Sequence, residues 1–239
     1  MPERATGFAL ALLLTASASA AGGDAPAPPR PRPAPAAKPT ESADDCAAEL
    51  VARVQARYDR MRDLEARFTQ RTLSALSPAG ESSRGTVVLA KPGRMRWSYE
   101  TPEASLVVSD GKTLWIYDVA AREAQKLAVG EEFMSGAAFQ FLLGSGRIAE
   151  TFAVRVRDCA APRPRLELVP KVDATYQRLE LDVDAKTGEA FATAVVDLFG
   201  NRTEVEFAEL RYDRSPAASV FQFAPEPGVR VIELGTADR

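Results

Sequence analysis

GTVVLAKPGRMRWSYETPEASLVVSDGKTLWIYD, residues 85–118, changes character at every second position. Met95, Trp97 and Tyr99 alternate with Arg94, Arg96 and Ser98. An extended chain with that pattern carries one apolar face and one wet face. Asp110-Gly111 stands between Leu106–Ser109 and Thr113–Asp118. Asp-Gly between two such runs is a strong short-range signal for a tight hairpin.

The same two-residue period extends in both directions. Upstream, Leu64, Ala66 and Phe68 alternate with Glu65, Arg67 and Thr69. Downstream it returns in Phe152-Val154-Val156, in Leu179-Leu181-Val183, and in Val205-Phe207 set against Glu204-Glu206. Lys186-Thr187-Gly188 and Phe199-Gly200-Asn201 punctuate the later runs. About eleven strand-like segments, spaced roughly every ten residues, predict an antiparallel sandwich or barrel and exclude an α/β fold.

Two segments follow a helical period instead. Ala47, Leu50, Val51, Val54, Tyr58 and Met61 predict an amphipathic helix from about Cys46 to Arg62, with Asp44-Asp45 as N-caps. Its apolar stripe suits packing on a sheet. The second segment, GEEFMSGAAFQFLLGSG from Gly130 to Gly146, interrupts the strands. Phe133, Met134, Ala137, Ala138, Phe141 and Leu142 share helical spacing, and Phe139 widens the apolar face. Either a helix plugging one end of a barrel or a glycine-hinged lid fits this pattern.

The chain has 239 residues. Residues 1–20 read as a signal peptide, with an apolar Leu10–Leu14 run and Ala18-Ser19-Ala20 as the small-residue cleavage pattern. Residues 21–43 read as a Pro/Ala-rich linker. Residues 44–239 remain as one domain with a sizeable core. The expected product is exported and soluble. It lacks a cysteine at the cleavage point with which to carry its own lipid.

Composition removes most chemistry. The chain has no histidine, so Ser-His-Asp, Cys-His and imidazole acid/base schemes are excluded. No phosphate-cradling glycine loop is present. A carboxylate-based hydrolase would need a polar cleft, where the strands offer an apolar face. Thirty basic and 33 acidic residues are interleaved without blocks, which argues against nucleic acid as a partner. Cys46 and Cys159 are the only cysteines. An oxidising compartment favours their pairing, and two free buried thiols are the alternative.

Specific residues then point to a family. Gly85, Lys91-Pro92, Arg96-Trp97, Pro102, Ser109-Asp110-Gly111-Lys112 and Trp115-Ile116-Tyr117 resemble, in order, the motifs of the periplasmic lipoprotein carrier LolA family. Leu64–Gln70, Asp197–Thr203 and Phe221–Val229 resemble its first strand, late hairpin and tail. The resemblance implies a mainly β fold: an unclosed antiparallel barrel of about eleven strands, with an N-terminal helix and a helical lid over an apolar cavity. It implies no enzymatic turnover and no cofactor or metal.

The implied role is periplasmic carriage of acylated lipoproteins. They would be received from an inner-membrane ABC transporter of the LolCDE type and passed to an outer-membrane acceptor or to that membrane itself. A monomer is expected. Phe68, Met95, Trp97, Tyr99 and Trp115 are candidates for the cavity, and Phe133, Met134, Phe139, Phe141 and Leu142 for the lid. Each could equally be plain core. Where the family has an arginine that latches the lid, this sequence has Lys91, whose point charge lacks the planar fork. Arg94 and Arg96 fall on the strand face opposite Trp97. Glycolipid or phospholipid carriage, or lipoprotein sensing in envelope stress, would use the same fold.

Overall fold

Strands with one apolar face must stack that face against something, and here twelve of them do so in a single sheet. The computed structural model describes residues 41–74, 80–129 and 146–234. Helix α1 spans Glu41–Arg60, and a short α2 spans Ile148–Thr151. The strands are β1 (Asp63–Leu73), β2 (Glu81–Ala90), β3 (Arg94–Thr101), β4 (Ser105–Asp110), β5 (Thr113–Asp118) and β6 (Glu123–Ala128). They continue as β7 (Phe152–Arg157), β8 (Arg165–Pro170), β9 (Tyr176–Val183), β10 (Ala190–Asp197), β11 (Arg202–Tyr212) and β12 (Arg230–Leu234).

The spatial order is β12-β6-β5-β4-β3-β2-β1-β11-β10-β9-β8-β7, so the sheet is unclosed, with β12 and β7 as its edges. Twelve strands stand where about eleven were expected, and one pairing departs from the antiparallel rule. β12 joins β6 in parallel, because the chain first crosses the outer face before adding its last strand. A bulge at Glu209, whose φ is 55°, sets Glu209 and Leu210 together opposite Ala66.

Helix α1 starts earlier than the Cys46 boundary and ends at Arg60. Its first residue follows Pro39 by two positions, inside the tract read as linker. Asp44 and Asp45 therefore lie within its first turns and not at the N-cap position. At the far end, the Arg62 carbonyl accepts from Lys91 N at 2.9 Å, and Arg62 Nε donates to Asp213 at 3.2 Å. Those bonds take residues 61 and 62 out of the helix. The expected signal peptide and most of the linker, residues 1–40, lie outside the described residues. So do the lid candidates Phe133, Met134, Phe139, Phe141 and Leu142.

One face of the sheet, called inner here, carries two apolar clusters. Leu50 and Val54 of α1 pack with Ile148, Phe152, Leu166, Leu168, Leu179, Leu181 and Val183. The second cluster gathers Met61, Leu64, Ala66, Phe68, Val87, Leu89, Met95, Val107 and Leu114. Gly188, at φ +70°, lets the β9–β10 turn touch the backbone of α1; a Cβ there would stand 2.7 Å from the Arg53 carbonyl oxygen. Cys46 and Cys159 are disulfide-bonded with Cα atoms 6.2 Å apart, fixing α1 to the β7–β8 connection. Closing a loop of this length stabilises by about 4 to 5 kcal/mol in the chain-entropy model.

On the outer face, a 3-10 turn at Ala218–Phe221 and the residues after it strap β3, β4 and β5. Phe221 is buried there beneath the Arg94 guanidinium, 5.1 Å from its ring centre. Arg96 donates to the Val220 carbonyl at 3.2 Å.

Candidate functional site

Phe68 on β1 anchors the aromatic part of the inner face. Its ring meets Trp97 edge-on at 4.9 Å and Tyr99 edge-on at 5.0 Å. Trp97 reaches Phe207 of β11 at 6.3 Å. Such pairs contribute roughly 0.5–1.5 kcal/mol each beyond simple burial. Strand register produces the grouping: Phe68 pairs with Phe207 on one side and with Gly85 on the other, and Gly85 pairs with Tyr99.

Gly85 is required for this. A Cβ at that position would collide with the Ser98 carbonyl oxygen and stand 3.0 Å from the Phe68 ring. Phe68 is almost fully buried, whereas Trp97, Tyr99, Phe207, Ile116 and Val205 are half-buried. Met95 is buried between Leu89 and Ser109. The face thus pairs a fixed aromatic floor with several large side chains that retain exposed area.

Polar groups in this region are few and engaged. Tyr99 donates its hydroxyl to Gln70 Oε1 at 3.1 Å. Burial pushes its phenol up to about 12, so it stays a neutral donor at physiological pH. Among the described residues, no group of three or more acidic or cysteine side chains could hold a metal ion. The surface offers contact area for apolar matter.

Residues 59–224 match the family described as outer membrane lipoprotein carrier protein LolA. The chain belongs to that family. A Xanthomonas campestris pv. campestris protein named outer-membrane lipoprotein carrier protein is 33% identical over 177 residues, covering 72% of this chain and 82% of its own. A Chromobacterium violaceum protein of the same name is 31% identical over 186 residues, covering 77% and 88%. A solved LolA superfamily protein from Nitrosomonas europaea is 11% identical at a TM-score of 0.43, covering 74% of this chain and 97% of its own. The LolA family is a carrier family, not an enzyme family.

Within this LolA-family chain, the structure brings together four of the five cavity candidates, Phe68, Met95, Trp97 and Tyr99. Trp115 does not join them. Register pairs Trp97 with Val107 and Val107 with Ile116, so Ile116 faces inward and Trp115 outward. There Trp115 meets Phe223 at 5.4 Å, with Lys126 over its ring at 5.7 Å. A shallow depression of about 350 Å³ beside it is lined by Trp115, Lys126, Phe221 and Phe223.

Lys91 holds α1. Its ammonium donates to the Tyr58 carbonyl and stands 5.0 Å over the Tyr58 ring. Burial lowers its pKa, and Asp59 partly offsets that. A cation at the carbonyl end of a helix is also favoured by the helix dipole. Arg94 and Arg96 sit on the outer face with the strap, as alternation requires. Phe207, Val205 and Ile116 also face inward and are not among the cavity candidates. Val205 and Phe207 had the signal, alternating with Glu204 and Glu206. Their pairing with β1 had none.

Proposed function

We propose that this protein is a periplasmic carrier that shelters the acyl chains of lipoproteins on its inner face and delivers them to the outer membrane. The single observation that carries the reading is the half-buried aromatic surface of Trp97, Tyr99 and Phe207 around Phe68 in a LolA-family chain. Relatives named outer-membrane lipoprotein carrier protein support the cargo class. Exposing each CH₂ to water costs about 0.8 kcal/mol, so one acyl chain costs on the order of 10 kcal/mol. An apolar face removes that cost without chemical change, and neither cofactor nor turnover enters.

In this reading, an inner-membrane ABC transporter of the LolCDE type hands over the cargo. An outer-membrane acceptor, or the membrane itself, takes it. No helix among the described residues is long and apolar enough to cross a membrane. Mass spectrometry of what co-purifies with the protein from periplasm tests the cargo. Triacylated lipoprotein is the expected result. Glycolipid or phospholipid in its place would overturn it.

A further inference from the structure

The two rims of the sheet differ in character. At one rim lie the turns β3–β4, β5–β6, β8–β9 and β10–β11, together with the end of β1 and the start of β12. Every exposed large hydrophobic side chain among the described residues is found toward this rim: Val119, Val169, Val172, Leu198, Phe199 and Val231. Charged side chains stand at both rims, Glu103, Arg122, Lys171 and Asp173 at this one and Lys91, Lys112, Asp184, Lys186 and Asp213 at the opposite one, so the difference between them lies in the exposed apolar groups. Isolated exposed apolar side chains are ordinary, but their segregation to one end is not.

The most prominent of them are held outward by a built turn. Phe199 is 79% exposed, Leu198 58% and Val172 74%. The Asp197 carboxylate accepts from Phe199 N at 2.8 Å, Asn201 N at 2.9 Å and Asn201 Nδ2 at 2.7 Å. Gly200 completes the turn at φ +86°. Gln177, on the neighbouring strand, donates to the Leu198 carbonyl at 3.1 Å and ties this turn to the β8–β9 hairpin that bears Val172. With its polar groups spent on its own backbone, the turn presents only apolar side chains outward.

We propose that this rim is a membrane-contact edge, with Leu198 and Phe199 as its leading residues and Val172 beside them, entering the interfacial layer of a lipid bilayer. The observations favour a lipid surface over a protein. A stable protein partner requires about 800 Å² of contiguous, complementary surface per side. Here the apolar groups stand on separate turn tips along an arc. A bilayer interface is deformable and accepts scattered side chains without shape complementarity, and a few of them give weak, reversible attachment. The turn tip Leu198–Asn201 carries no ionised side chain, and Arg122 and Lys171 elsewhere on this rim are matched by Glu103 and Asp173, so the attraction is apolar and not electrostatic. The inference stands apart from the identity of the cargo.

Flotation of the purified protein with vesicles of phosphatidylethanolamine and phosphatidylglycerol tests it. The protein is expected to float, and to do so nearly equally in low and high salt. The double variant Leu198→Ser/Phe199→Ser should partition roughly tenfold less. Val172→Ser should have a smaller effect, and Lys186→Ser on the opposite rim none. Melting temperatures should be unchanged, since these side chains make few contacts. Phe199→Trp should add an emission component that shifts blue and is quenched by brominated lipid. Absence of flotation, flotation abolished by salt, or equal flotation of the double variant would each overturn the proposal. So would self-association of the parent protein that the double variant loses, because the rim would then be an interface between copies.

Discussion

Trp97 and Trp115, the only two tryptophans, lie two strands apart on opposite faces of one sheet. Trp97 lies on the inner aromatic surface against Phe68, and Trp115 under the outer strap against Phe223. Trp97→Glu should therefore abolish loading of a triacylated lipopeptide while the fold persists. Trp115→Ala should leave loading intact and destabilise by about 2 to 4 kcal/mol, through loss of strap packing. Urea unfolding and a lipopeptide-binding assay on both variants separate the two roles. Normal loading by Trp97→Glu would remove the inner face from the site.

Gly85 is the second point of leverage. A methyl group there meets the Ser98 backbone and the Phe68 ring, neither of which can yield cheaply. Gly85→Ala is expected to destabilise by at least about 2 kcal/mol. It should also change the near-ultraviolet dichroism of the Phe68–Trp97–Tyr99 group. An unchanged spectrum and melting temperature would show that β2 and β3 can part at no cost.

Lys91→Met should loosen the end of α1. The lost bond to the Tyr58 carbonyl is worth about 1 kcal/mol, and amide exchange should quicken around residues 58–62. Lys91→Arg should restore protection, because a guanidinium also reaches a carbonyl. Exchange rates identical to the parent in Lys91→Met would contradict the fastening role.

Glu180 gives the fold a pH-dependent element. Burial alone would raise its pKa, but hydrogen bonds from Arg202 and Arg178 outweigh that and hold it below the ordinary 4.5. A carboxyl depressed in the fold stabilises above its unfolded value, and that contribution fades as pH falls through the lower folded value. Glu180→Gln should cost about 1 to 3 kcal/mol at neutral pH, leaving arginines short of a partner. The gap between variant and parent should then narrow below about pH 4.5. Denaturant titrations across that range decide it, and a constant gap would show that Glu180 does not titrate with folding.

Much of the sheet is readable in advance because period-two alternation and a buried face report each other. Met95, Trp97 and Tyr99 could be placed together by parity alone. Trp115 could not be placed as easily, since β5 is apolar on both faces: Leu114 and Ile116 pack inward while Trp115 and Tyr117 receive Phe223. Only the pairing register separates the two sets. Phe207 was visible as part of an alternating run, but its pairing with Phe68 depends on a strand far along the chain. The reach of Lys91 to Tyr58 likewise depends on where a helix docks, which no local pattern encodes.

The placement of β1 between β2 and β11 has a consequence for how the molecule is made. Synthesised amino end first, the chain delivers β1 through β6 long before β11 arrives to continue the platform. Until then the greasy flank of Leu64, Ala66 and Phe68 has a neighbour on one side only. Nascent molecules halted at that stage would be adhesive, so quick passage of the carboxyl half, or a temporary escort, protects each newcomer from its siblings.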